Sequence, residues 1–259
     1  MPERSFQNIS LDLGNYVATL TISRPPLNIL DIQTLQEMNE AIESLNKKSG
    51  IRVLVLTSEG EKAFSAGVDV AEHTKEKVKE MVEVFNRFFF LLEGVDGVTI
   101  AAVKGAALGG GCEVAMACDL IFAADNLKIG QPEIKLAVIA PIACAYLPRL
   151  IGASKANELL LSGDAIGAED ALRIGLINRI ARLDNFEQEL QSFIERFSSN
   201  SLVGIKHTKK SIRLGLQNSY PQSLEKIGQL YLRELMDTED ANEGLSAFLE
   251  KRKPSFKDT

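Results

Sequence analysis

Two glutamates stand directly behind glycine-bearing turns, Glu113 in LGGGCE and Glu133 in IGQPE. The glycines Gly109, Gly110 and Gly111 open a run that reads as the start of a helix. The first backbone N–H groups of a helix lack internal acceptors and lie at the positive end of its dipole, so such a turn can hold an anion. Glycine also lets a ligand come close to those amides. A second reading stays open: the glycines serve tight helix–strand packing, and Glu113 complements the helix dipole, worth about 0.3–1 kcal/mol. Pro132 suits a helix start, and on its own Glu133 reads as an ordinary first-turn acid. GGGCEV fails the GxGxxG or GxGxxA dinucleotide fingerprint at its last position, and no GK[ST] follows as a P-loop would need. A further glycine turn, at Gly67 in KAFSAGVDV, ends another apolar segment.

The remaining reactive side chains offer less. Ser65 lies in a glycine turn but has no GxSxG elbow around it. His73 and His207 sit among lysines and other polar residues and read as solvated groups. Cys112, Cys118 and Cys144 have neither disulfide-framework nor zinc spacing, and are expected to be small core residues in a reducing cytoplasm. No cluster has metal-ligand spacing, and no metal is expected.

Elements must bring these residues together. ISLDLGNYVATLTIS alternates and turns at Gly14-Asn15, as a β-hairpin does. Asp31 can cap a helix carrying Ile32, Leu35, Met38, Ile42 and Leu45, which Gly50 ends. IRVLVLTS follows as a strand, EGEKAFSAGVD as a loop, and an amphipathic helix from about Lys75 to Leu92. VTIAAV and CDLIFAA read as strands and KIGQPE as a loop. Strands alternating with helices imply an α/β fold with mainly parallel pairing. From Ala153 onward the pattern is helical almost throughout, with turns at Gly163, Gly167, Gly175 and Asn200-Ser201. No linker or internal sequence repeat is visible. One domain with a helical C-terminal extension is the simplest organisation.

Composition bounds the function. A chain of 259 residues, 45% hydrophobic and 25% charged, is an ordinary globular protein with a sizeable core. Its net charge of −6 argues against a nucleic-acid or anionic-membrane partner bound through charge. MPERSFQNIS lacks the basic-then-apolar pattern of a secretory signal, so the mature protein is expected to start near Met1. The longest uncharged apolar run, Leu136 to Leu147, falls short of the ~20 residues of a membrane span.

The stretches RPPLNIL, EKAFSAGVDV, AALGGGCEVAMACDL, IGQPEI, LSGDAIGAEDALRIGLINRI and EGLSAFLEKRKPSFKD resemble, in order and spacing, the crotonase (enoyl-CoA hydratase/isomerase) superfamily over the full chain. The resemblance implies a spiral of ββα units, here residues 1–200 with the CoA and acyl sites, followed by a helical region, 201–259, that builds trimers or hexamers. It implies an acyl-CoA thioester as substrate, with CoA part of that substrate and no bound cofactor. By position, the amides of Val68 and Gly110 would hold the thioester oxygen as it becomes an enolate. Ala66, Val68, Asp69, Val70 and Gly110 would contact substrate. Glu113 would orient or deprotonate water and Glu133 would donate a proton, with one water shared by both. Lys62, Lys251, Arg252 and Lys253 are candidates for the CoA phosphates, with solvated surface charge as the plainer reading.

One segment departs from the straight-chain pattern. Where those hydratases carry a glycine-rich PGAGGTQRL-like stretch, this chain reads KLAVIAPIACAYLPRL. Ile142, Ala143, Cys144, Ala145 and Tyr146 would reshape the acyl pocket. Together with RPPLNILD, the segment resembles the cyclohexa-1,5-diene-1-carbonyl-CoA hydratases of anaerobic aromatic degradation. The expected reaction is hydration of a conjugated enoyl-CoA, cyclic or straight-chain. An isomerase would need only one acid/base, and the two glutamates argue against it. A non-catalytic acyl-CoA or RNA-binding relative is opposed by the acidic charge and by both carboxylates, and a dinucleotide oxidoreductase by the failed fingerprint.

Overall fold

A computed structural model describes residues 6–48 and 50–259. The reading of residues 1–5 as free of a targeting segment lies outside them. The hairpin forms as the alternation predicts: β1 (Ile9–Leu13) pairs antiparallel with β2 (Val17–Ile22). The Asp31 carboxylate accepts the Thr34 N–H at 2.8 Å and caps α1 (Ile32–Asn46). α1 ends before Gly50, whose φ of +87° turns the chain toward the next strand.

From there two strands and a helix recur. β3 (Val53–Ser58), β4 (Ala63–Ser65) and α2 (Val78–Glu93) make one turn of a spiral; β5 (Val98–Val103), β6 (Ala106–Leu108) and α3 (Gly110–Met116) make the next. β7 (Leu120–Ala124) and β8 (Lys128–Gly130) begin a third, which continues through α4 (Pro141–Ile151) and α5 (Ala153–Ser162). The longer strand of each turn joins a six-stranded sheet and the shorter one a four-stranded sheet. β9 (Ala165–Gly167) closes the smaller sheet; after α6 (Ala168–Arg173), β10 (Arg179–Ala181) closes the larger. Pairing is parallel except in the hairpin and between β8 and β9. The repeat therefore exists in space without one in sequence.

The period of two on the longer strands explains the layering. Leu54, Leu56, Ala101, Val103, Ile121 and Ala123 face the main core, shared with α1, α2 and α3. Their neighbours Val53, Val55, Ile100, Ala102, Phe122 and Ala124 face a second core under α7 (Phe186–Ser198). There the Phe122 ring packs against Phe186 and Phe193, each at 5.2 Å. α8 (Leu202–Gln217), α9 (Tyr220–Leu230) and α10 (Glu239–Leu249) form the helical C-terminal region.

Several sequence expectations need correction. Loops expected at KAFS and KIG contain β4 and β8, and the region after Ala153 includes β9 and β10. Each of these strands has only three residues, too few to show a period of two. α2 starts at Val78 rather than near Lys75. Cys112 and Cys118 are buried, but Cys144 faces solvent because its place on α4 points away from the core. His207 is half-buried, with its ring Nδ1 2.8 Å from the Val203 carbonyl.

Candidate active site

The three glycines occupy a tight junction of the spiral, and each faces a different neighbour. A Cβ on Gly111 would lie 2.3 Å from the Ser65 carbonyl, so side chains are excluded where α3 crosses β4. A Cβ on Gly110 would meet Val68 Cγ2 at 2.5 Å, with Val68 N and Phe85 Cζ each at 3.3 Å. A Cβ on Gly109 would sit 2.5 Å from Glu133 Oε1, and the residue's φ of +53° also favours glycine. The glycine run thus brings the SAGVD turn and Glu133 against the start of α3.

Val68 is held by its neighbours. Gly67, at φ +112°, donates its N–H to Ser65 Oγ at 3.1 Å. The Gly67 carbonyl accepts from Leu30 N at 3.0 Å, and Asp69 N donates to the Leu30 carbonyl at 3.1 Å. Among the described residues the Val68 N–H has no acceptor, nor does that of Gly110, the first residue of α3. Two unused amides therefore lie close together where Gly110 meets the SAGVD turn. Ser65 is buried and its hydroxyl serves the turn, which gives it a structural task.

Glu113 is 3% exposed, and its Oε1 accepts the Ala143 N–H of α4 at 2.9 Å. Burial pushes its carboxyl up to about 7; the Ala143 amide opposes the rise and the charge of Glu133 adds to it. Glu133 lies on a 3₁₀ turn, Pro132–Leu136, which replaces the helix expected after Pro132. Burial raises its proton affinity as well, opposed by its own backbone hydrogen bond and by the charge of His73. Its Oε2 is buried with no hydrogen-bond partner among the described residues. Two carboxyls with raised proton affinity thus lie beside the paired amides. A raised proton affinity suits a carboxyl to give a proton as well as to take one.

The other expected contacts lie around this centre. Ala66 and Asp69 are half-buried; the Asp69 carboxylate accepts the Ala71 N–H at 2.9 Å and caps the 3₁₀ turn Val70–Glu72. Val70, 65% exposed, stands at the rim. Lys62 is exposed near the turn, while Arg252 is engaged by Glu243 and Glu250. Sequence reasoning missed Asn28. It is fully buried at φ +49°, donates to the carbonyls of Glu59 and Ala63 and accepts from Arg24 N, tying the RPPLNIL loop to β4. Gln131, 1% exposed with both amide atoms unpartnered among the described residues, was also missed. Nothing in the local pattern marks either residue, although Asn28 falls inside RPPLNIL and Gln131 inside IGQPEI. Among the described residues no cluster could hold a metal ion, and no helix is long and apolar enough to cross a membrane.

The fold is a two-sheet ββα spiral, and the family it matches and the hydratases it resembles make the chain an enzyme of the hydratase type, a hydro-lyase. The chain belongs to the enoyl-CoA hydratase/isomerase family, whose description matches residues 12–259. It is 34% identical over 257 residues to a crotonyl-CoA hydratase of Syntrophomonas wolfei, covering 97% of this chain and 98% of that protein. A short-chain-enoyl-CoA hydratase of Clostridium acetobutylicum is 36% identical, with 95% and 96% covered. Among solved structures, an enoyl-CoA hydratase from Bacillus anthracis superposes with a TM-score of 0.93 at 34% identity, covering 98% of this chain and all of that one.

Proposed function

We propose that the protein adds water across the double bond conjugated to the thioester carbonyl of an enoyl-CoA. The observation that carries this reading is the pair of unused amides, Val68 N lying 3.3 Å from where a Gly110 side chain would begin, beside the buried carboxyl of Glu113 and the half-buried one of Glu133. As water oxygen bonds to the β-carbon, the π-electrons move onto the thioester oxygen, and the two N–H groups stabilise the enolate. Glu113 takes the proton from water, and Glu133 delivers one to the carbon when the enolate collapses. Ala66, Asp69 and Val70 complete the rim, and CoA enters as part of the substrate with no other cofactor.

The names of the relatives favour a short straight-chain acyl group. A second reading, a cyclic dienoyl-CoA, is favoured by α4: Ile142 and Tyr146 pack against the main core beside Ala143, whose amide meets Glu113. Bulk replaces glycine there and would suit a compact ring. Turnover of crotonyl-CoA, longer straight-chain enoyl-CoAs and cyclohexa-1,5-diene-1-carbonyl-CoA, compared by kcat/KM, decides between them. Loss of turnover in Glu133→Gln, by about 10²–10⁴, tests the proton donor. Hydration of none of the panel would overturn the proposal.

Residues 1–200 would carry the sites and 201–259 the assembly surface. The helical region exposes large apolar side chains, among them Leu216 at 75% and Tyr220 at 77%, which favours burial against other copies in a trimer or hexamer. Sedimentation velocity measures that state directly. A cytoplasmic location agrees with the three free cysteines.

A further inference from the structure

The free amide of Val68 owes its direction to a short ladder between two loops. Ala66 N donates to the Leu27 carbonyl at 2.9 Å, Leu30 N to the Gly67 carbonyl at 3.0 Å and Asp69 N to the Leu30 carbonyl at 3.1 Å, so that Leu30 and Val68 form a parallel bridge. In such a bridge the residues on either side of Val68 make the bonds to Leu30, and the N–H of Val68 itself points the other way. Whatever holds the two loops in this register therefore aims that amide.

Beyond Asp69 the hold is slender. From Val70 to Glu80 every residue is exposed except Glu72. The turn bonds mainly to itself: Glu72 N donates to the Asp69 carbonyl, His73 N to the Val70 carbonyl and Ala71 N to the Asp69 carboxylate. In this stretch Glu72 alone reaches back to the first loop. Its Oε2 accepts the Ile32 N–H at 2.7 Å, and its side chain is 13% exposed, with the other oxygen 3.9 Å from Lys77 Nζ. Ile32 is the first residue of α1, so its amide has no acceptor inside the helix. Asp31 already caps that helix through Thr34 N, so α1 has a start signal without Glu72. The Ala66–Leu27 bond at one end and the Glu72–Ile32 bond at the other thus bracket Val68.

We propose that Glu72 is a positioning residue: by gripping Ile32 it locks the register of the two loops and holds the Val68 N–H in line with the oxygen of the developing enolate. This role rests on the hydratase reading. The bond is charge-assisted, stronger than one to a neutral acceptor, which suits a single anchor on an exposed stretch.

The experiment measures kcat and KM for crotonyl-CoA hydration, and the thioester C=O stretch of bound butyryl-CoA by infrared difference spectroscopy, in wild type and three Glu72 variants whose folding is checked by circular dichroism. Butyryl-CoA has no double bond to hydrate, so its stretch reports the grip of the amides on the carbonyl. Glu72→Ala should lower kcat about tenfold, part of the roughly 10²–10³ that loss of a whole oxyanion donor costs, with KM within about twofold and the stretch moved toward its frequency in free solution. Glu72→Gln keeps an oxygen at the same reach and should stay within about threefold of wild type, whereas Glu72→Asp keeps the charge but is one methylene short and should fall like Glu72→Ala. If Glu72→Ala does not fold, the contrast between Gln and Asp decides alone. Full rate in Glu72→Ala, full rate in Glu72→Asp beside an impaired Glu72→Gln, or a lost rate with an unmoved stretch overturns the role of Glu72 while leaving the hydratase reading intact. A wild type that hydrates no enoyl-CoA, or that leaves the butyryl-CoA stretch at its free value, overturns the parent reading and this role with it.

Discussion

Replacing Glu113 by glutamine should harm catalysis and help stability. Glu113→Gln keeps the side-chain volume and an oxygen to accept the Ala143 N–H, while removing the charge that burial resists. A carboxyl raised from 4.5 to about 7 in the folded state binds its proton more tightly than the unfolded chain does. Its stabilising contribution is therefore fully present below pH 4.5 and is lost as pH rises through about 7. At about 1.4 kcal/mol per pH unit the loss amounts to roughly 3 kcal/mol, a large share of a typical folding free energy. Urea unfolding at fixed protein concentration, at pH 5 and pH 8.5, measures it. The stability of the variant relative to wild type should increase by roughly 3 kcal/mol between the two conditions. Turnover should fall at least about 100-fold with CoA-ester binding largely kept, because only proton transfer is removed. Identical pH dependence of the two proteins would show that Glu113 is not held in a desolvated, ionisable state. Undiminished turnover would remove it from the mechanism.

Gly110→Ala places a methyl 2.5 Å from Val68 Cγ2 and between the two free amides. It should lower kcat by about 10²–10³, equivalent to ~2.7–4 kcal/mol, and affect KM less; a folded variant at full rate would assign these glycines to packing alone. Asn28→Ala removes hydrogen bonds to Glu59 O, Ala63 O and Arg24 N at a buried position with φ +49°. It should destabilise the fold by roughly 2–4 kcal/mol in urea unfolding and reduce turnover by loosening β4; a change below about 1 kcal/mol would contradict that role.

The sequence by itself determined the elements that carry a period. The alternation of IRVLVLTS, the helical spacing from Ile32 to Leu45 and the Asp31 cap depend on neighbours a few residues away, so they are written locally. The glycine run and Glu113 could be singled out the same way, though spacing alone left both packing and anion binding open. Tertiary structure decided how these pieces meet. β4, β6 and β8 are too short to be read, yet their side-by-side pairing brings Gly111 onto Ser65 and Gly109 onto Glu133. The same alignment sets Gly110 against Val68, while Ala143 reaches Glu113 from a helix in the third turn of the spiral. Asn28 is important for that assembly and, like the buried Gln131, silent in the pattern, because an amide buried by distant strands looks in sequence like any polar residue in a loop. Local sequence fixes where the chain can bend and which faces must be buried; only closure of the spiral decides which unused amides and which carboxyls share one space.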